Sequence, residues 1–216
     1  MLTRIVNFFG HVAVASWSAA SPAAALGAML PDFATMCGAR LAEPAEPELA
    51  RGVALHHATD AAFHPLPAVV AHMRELDDRL ARGGCARGPR RATAHIGFEL
   101  LLDGVLVDDA GYRAAYAAAL AHDAAAVRWR EPDGDTRFDR LLARLRAYGV
   151  PDDLREPAAI AERLRRMLAH RPLLAPSASD LRAIGRALAE HRPRVAVSAD
   201  TVLRALRAAL VLPLPP

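Results

Sequence analysis

A histidine-rich stretch, Gly52–Pro65, constrains this chain more than any other part of its sequence. It contains His56, His57, Asp60 and His64. In a helix, three of these recur every four residues and share one face, and His57 falls near that face. Clusters of histidine and aspartate indicate metal or catalytic sites more strongly than single residues do. The alternative is a polar helix face on which neutral histidines donate hydrogen bonds to the aspartate.

A second predicted helix, from about Arg91 to Val107, repeats this spacing. His95, Glu99 and Asp103 occur at every fourth position among apolar neighbours. Burying carboxylates in such surroundings is costly unless they are paired or bind a cation. His95 and Glu99 are therefore predicted site residues, whereas Asp103, next to Gly104, fits a surface position near the helix end equally well. The alternative is an ordinary amphipathic helix whose polar residues face solvent.

The N-terminal region supplies further polar residues. A helix predicted over residues 4–17 carries Asn7 and His11 four positions apart on one face. The next helix is predicted to start with Pro22 and to break at Pro31. Asp32 then follows a helix end, where it either caps the next turn or is a ligand directed into a cavity. The local sequence favours the cap.

Composition favours helix over sheet throughout the chain. The hydrophobic fraction of 53% comes mostly from alanine and leucine, and aromatic residues make up only 5%. We expect one all-α domain, residues 1–216, built as a bundle of roughly eight to nine helices. The remaining predicted helices cover residues 47–63, 67–80, 112–127, 138–148, 157–170, 180–190 and 200–210. His72 is predicted to be an ordinary surface histidine.

Charge and cysteine content narrow the classes of partner and compartment. The net charge of +3 makes the chain mildly basic, which favours an acidic macromolecule or a phosphate-bearing substrate. Motifs for reading RNA or DNA are missing, so nucleic acid is not an expected partner. Cys37 and Cys85 lie far apart without metal-binding spacing, which fits a reducing compartment.

The first 28 residues resemble a secretory signal in part, because an apolar run follows Arg4 and small residues follow at Ala23–Ala25. Polar residues, among them Asn7 and His11, interrupt that run. We therefore expect a buried N-terminal helix. No stretch supplies the ~20 apolar residues that a membrane span needs, so we predict a cytoplasmic protein without a membrane partner.

These polar residues could converge on one interior site. They are Asn7, His11, Asp32, His56, His57, Asp60, His64, His95, Glu99 and Asp103. Mixed imidazole and carboxylate ligands suit manganese, iron, nickel or zinc rather than calcium. A divalent ion would favour metal-assisted phosphoester hydrolysis, with a spare histidine protonating the leaving alkoxide. The sequence presents no serine or cysteine nucleophile beside a histidine, which disfavours covalent acyl chemistry.

Three motifs resemble those of the acyl-carrier-protein phosphodiesterase family. They are Asn7-Phe8-Phe9-Gly10-His11, Gly27-Ala28-Met29-Leu30-Pro31-Asp32-Phe33, and the stretch from Gly52 through His56 to Asp60. Members of that family are helical relatives of the HD-type metal-dependent phosphohydrolases. They remove phosphopantetheine from holo acyl carrier protein, usually with manganese. The resemblance implies an HD-like bundle, a phosphodiesterase activity, manganese as the metal and acyl carrier protein as a partner.

The motif match implies catalytic roles for His11, Asp32, His56 and Asp60. A later family motif, Asp-x-x-x-Asp-His-Phe, matches in part, because Glu99 and Asp103 occupy its acidic positions and Gly104 replaces its histidine. His57 stands where the family has arginine, and His64 with Pro65 matches a His-Pro step. The predicted metal ligands are Asp32, His56, Asp60, His57, His64, His95, Glu99 and Asp103.

Two classes of function remain open. The first is a metal-dependent phosphodiester hydrolase acting on acyl carrier protein or another phosphoester. The second is a non-catalytic helical module that binds a metal or a partner and whose histidine cluster is structural.

Overall fold

The computed structural model describes residues 8–18 and 21–210, and every regular element in these two segments is helical. Nine α-helices lie there, together with a 3-10 helix at Asp152–Arg155. The α-helices are α1 (Phe8–Ser16), α2 (Pro22–Cys37), α3 (Pro47–Phe63), α4 (Pro67–Arg82), α5 (Arg87–Leu106), α6 (Ala110–Ala121), α7 (Gly134–Tyr148), α8 (Pro157–Leu168) and α9 (Ala178–Ala209). The predicted all-α bundle is confirmed.

Local capping fixes where α2 begins and ends. The Ser21 hydroxyl accepts a hydrogen bond from the Ala24 backbone N–H at 3.2 Å, and Pro22 suits the first helical turn. The same hydroxyl donates to the Glu48 carboxylate on α3 at 2.7 Å. Gly38 ends the helix at φ 64°, a left-handed conformation that glycine adopts without strain. These caps set α2 against the start of α3.

Two glycines allow α2 and α3 to pack backbone to backbone. A Cβ atom on Gly52 would collide with the Ala24 carbonyl oxygen and would lie 2.7 Å from the Ala28 nitrogen. A Cβ on Gly27 would collide with the Leu49 carbonyl oxygen. Only glycine permits this approach, which brings the α2 backbone within hydrogen-bonding distance of side chains on α3.

The helices form two bundles that meet at α1 and α5. In one bundle α2 packs against α1, α3, α6 and α7, and in the other α9 packs against α4, α5 and α8. Helix α1 also contacts α3 and α5. Large buried side chains, including Phe9, Phe33, Phe98, Tyr116 and Phe138, fill the interior. Polar residues of α1, α2, α3 and α5 therefore meet at this junction.

Two prolines lie inside helices, and one of them, Pro31, was expected to break its helix. Helix α2 continues through Pro31 to Cys37, so the predicted break was wrong and Asp32 lies within a helix. Helix α9 likewise passes through Pro193 and merges the two helices predicted over residues 180–190 and 200–210. A proline removes one backbone hydrogen bond, and here packing on several neighbouring helices outweighs that loss.

The structure also differs from the sequence prediction in the bounds of two helices. Helix α5 begins at Arg87 rather than Arg91, and α6 ends at Ala121 rather than at Val127. Asn7 lies outside the described residues. Among the helices of the described segments, none has the length and hydrophobicity to cross a bilayer.

Candidate metal centre

The junction of α1, α3 and α5 brings the predicted residues into two groups of possible metal ligands. The first contains His11, His56 and Asp60, and the second contains His64, His95 and Glu99. Within each group, one ligand atom from every residue lies within 4.8 Å of the others. Either group could hold a metal ion.

The first group is centred on the Asp60 carboxylate. Its Oδ1 lies 3.4 Å from His11 Nε2, and its Oδ2 lies 3.5 Å from His56 Nε2. The two imidazole rings stack with centroids 3.9 Å apart. Both histidines are buried, whereas Asp60 is partly exposed. Asp32 on α2 borders this group, with Oδ2 3.9 Å from His11 Nε2.

His56 has the protonation state that a metal ligand needs. Its Nδ1 lies 2.9 Å from the Ala28 carbonyl oxygen, which can only accept, so Nδ1 carries the hydrogen. Burial, followed by the neighbouring His11, lowers the pKa of His56 to about 3. The ring is thus neutral at pH 7, and its buried Nε2 has a lone pair and no hydrogen-bond partner. A carbonyl that fixes the tautomer in this way is a common feature around metal-bound histidines.

His11 responds to the carboxylates around it. Burial acts to lower its pKa, but the hydrogen bond to Asp60 and the charges of Asp32, Asp60 and Glu99 outweigh burial and raise it. The two groups adjoin, because His64 of the second group follows Asp60 of the first by one turn at the end of α3.

The second group lies nearer the surface. Glu99 Oε1 is 3.0 Å from His95 Nε2 and 3.8 Å from His64 Nε2. The Glu99 side chain is only 6% exposed, while both imidazoles are 38% exposed. The hydrogen bond to Glu99 raises the pKa of His95, whereas burial lowers the pKa of His64. This group therefore combines a buried carboxylate with two rings that solvent can reach.

Asp103 is buried at the base of the site, so the surface position considered for it is wrong. Burial, and then the charges of Glu99 and Asp32, raise its pKa well above the ordinary value, although the Gly10 backbone N–H opposes this shift. Closely spaced buried carboxylates favour either a proton or a cation among them. Either a shared proton or a bound cation would therefore stabilise these carboxylates.

Three of the predicted ligands are outside both groups: Asp32 and Asp103, which are buried, and His57. His57 is exposed on α3, and its ring lies edge-on to His56 at a centroid distance of 5.3 Å. The other predicted ligands, which are in the two groups, are His56, Asp60, His64, His95 and Glu99.

A polar network that the sequence did not reveal lies between α4 and α9. His72, predicted to be a surface residue, is buried; its Nδ1 is 3.1 Å from His191 Nε2, and its Nε2 is 2.6 Å from the Ser198 hydroxyl. The fold thus does place a serine beside a histidine. Ser198 Oγ also lies 3.0 Å from the Arg194 carbonyl oxygen. Each group can therefore donate to the next: His191 to His72, His72 to Ser198, and Ser198 to that carbonyl. That order leaves no buried N–H without an acceptor, and the serine hydrogen is used by the backbone rather than by the histidine.

Comparisons with models of protein families, with curated proteins and with solved structures find no match to this chain. The family resemblance stays a prediction from short motifs.

Proposed function

We propose that this chain is a metal-dependent phosphoric diester hydrolase that holds a divalent ion at each of the two groups. The observation that carries the proposal is their adjacency along α3: a group with two buried imidazoles and the Asp60 carboxylate is followed, one helical turn later, by His64 of a group whose imidazoles reach solvent. A phosphodiester could approach from the solvent side while the buried group keeps its ligands in fixed positions.

The donor set supports manganese as the first choice, with iron, nickel or zinc as alternatives. Each group offers two imidazole nitrogens and one carboxylate, a mixture that first-row metals accept and calcium does not favour. The neutral state of His56 and its unpartnered buried Nε2 fit a metal better than a purely structural role. The buried carboxylates Asp32 and Asp103 would balance the charge of the ions.

The residues have separate tasks in this proposal. Bound ions would supply an activated water and neutralise charge on the phosphate oxygens. His56 is oriented by Ala28, and Asp60 joins His56 to His11 across the first group. His57, exposed beside His56, would protonate the leaving alkoxide.

The substrate proposal follows the motif resemblance and the charge of the chain. A phosphodiester carried by an acidic protein, as in holo acyl carrier protein, suits a chain with net charge +3. Another phosphodiester would meet the same chemistry at the site.

The test uses protein purified without a histidine tag. Metal content is measured by inductively coupled plasma mass spectrometry, and hydrolysis is assayed on bis-p-nitrophenyl phosphate and on holo acyl carrier protein with and without manganese. Manganese-dependent release of p-nitrophenol or phosphopantetheine supports the proposal. A protein that binds no first-row metal and hydrolyses neither substrate would refute it.

The burial of His11 and His56 favours one alternative. An ion enclosed by these side chains would have little contact with solvent and would act as a structural element of a binding module. Stoichiometric metal without hydrolysis of either substrate would favour this alternative over the enzyme.

A further inference from the structure

A groove lined by arginines lies between the C-terminal part of α4 and the first half of α9. Its volume is about 300 Å³, and none of its lining residues belongs to the candidate metal centre. Arg79 and Arg82 come from α4, and Arg186 comes from α9. Gly83, Ala183 and Ala187 form a floor of small residues, and Glu190 supplies the lining carboxylate.

Arg79 is held rigidly at one side of the groove. One terminal nitrogen lies 3.2 Å from a Glu190 oxygen, and the other lies 2.9 Å from a Glu75 oxygen. Its Nε is buried and has no hydrogen-bond partner. The side chain is thus fixed in place at the wall of the groove.

Arg82 and Arg186 add charge that the described residues do not neutralise. Both side chains are exposed, and neither forms an ion pair or side-chain hydrogen bond within residues 8–18 and 21–210. Since Arg79 is already paired with Glu190 and Glu75, the excess positive charge of the groove comes from Arg82 and Arg186. The excess positive charge favours an anionic ligand.

We propose that this groove binds a phosphate group. The group belongs to free phosphate, to pyrophosphate or to a small phosphate monoester. Planar guanidinium groups match the oxygens of a phosphate through paired hydrogen bonds, and Arg82 and Arg186 reach the groove from two different helices. The small residues of the floor let the anion approach the helix backbones, where water is partly excluded and charge attraction is stronger. The volume accommodates more than one phosphate, so the groove can also receive a short organic group.

The experiment follows backbone amide resonances of ¹⁵N-labelled full-length protein at constant ionic strength. Inorganic phosphate, pyrophosphate and phenyl phosphate are titrated separately, after metal is removed with a chelator and the chelator is exchanged away. We expect saturable shifts for Gly83, Ala183 and Ala187, which lie in the groove and away from the metal centre. Tighter binding of pyrophosphate identifies a free polyphosphate ligand, and tighter binding of phenyl phosphate identifies a monoester. No saturable shift at these residues with any of the three anions would overturn the proposal.

A pair of matched double variants tests the arginines. R82Q/R186Q should weaken binding by about tenfold or more, because two charge-assisted contacts are lost. The control, R140Q/R144Q, removes the same charge from exposed arginines of α7, a helix that packs against α2 and α6. Equal affinity in R82Q/R186Q and wild type, or an equal loss in both variants, would overturn the proposal.

Glu190→Gln gives a prediction in the opposite direction. Removing this carboxylate lowers the repulsion of an anion and frees one side of Arg79, so phosphate should bind several-fold more tightly. Affinity at or below that of wild type would contradict a phosphate site in this groove. The result is independent of the metal centre, because no proposed ligand is altered.

Discussion

The Nδ1 atom of His56 on α3 lies 2.9 Å from the Ala28 carbonyl oxygen on α2. The backbone of one helix therefore fixes the tautomer and orientation of a proposed metal ligand on the next. This contact depends on the close crossing at Gly27 and Gly52. Packing of α2 on α3 and the chemistry of the candidate site are thus physically linked.

The first prediction concerns the first group of ligands. His56→Ala and Asp60→Ala should each lower the metal content by about one ion per chain, because each removes one of the three side chains that would hold the ion of the first group. Mass spectrometry gives the metal content, and circular dichroism should show that the helices persist. His57→Ala is the matched control and should keep its metal, since that residue is exposed and outside both groups. Normal metal content in either ligand variant would contradict the assignment.

The second prediction separates the two groups. Glu99→Gln should remove the ion of the second group and retain that of the first, and the double variant H56A/E99Q should lose both. The reason is that Glu99 is the carboxylate shared by His64 and His95, whereas Asp60 serves His11 and His56. If E99Q lost every ion, the groups would form one mononuclear site rather than two.

Much of the site was predictable because its signals are local. Helix α3 matches its predicted bounds, since Pro47 occupies the first turn and Pro65 follows the end. The four-residue spacing from His56 to Asp60, and from His95 to Glu99, correctly placed each pair on one helix face. Spacing alone did not distinguish His57, which falls just outside the buried stripe.

The third prediction tests the helix crossing. Gly52→Ala should destabilise the protein by about 1–3 kcal/mol, because its Cβ would collide with the α2 backbone and force the helices apart. It should also weaken metal binding by displacing the Ala28 carbonyl from His56. Urea unfolding and metal titration measure the two effects.

Gly185→Ala is the control for that substitution. This glycine is also helical, but a Cβ there meets nothing within 4 Å, so alanine should stabilise the protein by about 0.5–1 kcal/mol. Equal effects of the two substitutions would show that helix propensity rather than the crossing determines the result.

Other features were not predictable, because they depend on contacts between distant parts of the chain. Pro31 and Pro193 carry strong local stop signals, yet neighbouring helices hold α2 and α9 continuous. The sequence near Asp103 does not show that it is buried. Helix α5 carries apolar residues on nearly every face, so their spacing does not distinguish a buried face from an exposed one. His72 pairs with residues 119 and 126 positions away, and no pattern near His72 marks either partner.

The last prediction concerns acid sensitivity at that pair. Burial, and then the neighbouring His72, lower the pKa of His191 from 6.5 in the unfolded chain to about 4, and burial also lowers the pKa of His72. The unfolded chain therefore binds more protons than the folded chain between these values, so the free energy of unfolding falls as the pH falls from about 6.5 to 4. In His191→Gln, the side-chain amide can still donate to His72 Nδ1 but does not titrate. Urea unfolding at pH 7.0 and pH 4.5 should show a smaller loss of stability in this variant than in wild type, while His170→Gln, at an exposed position, should behave as wild type. An unchanged loss in His191→Gln would mean that other groups determine the acid response.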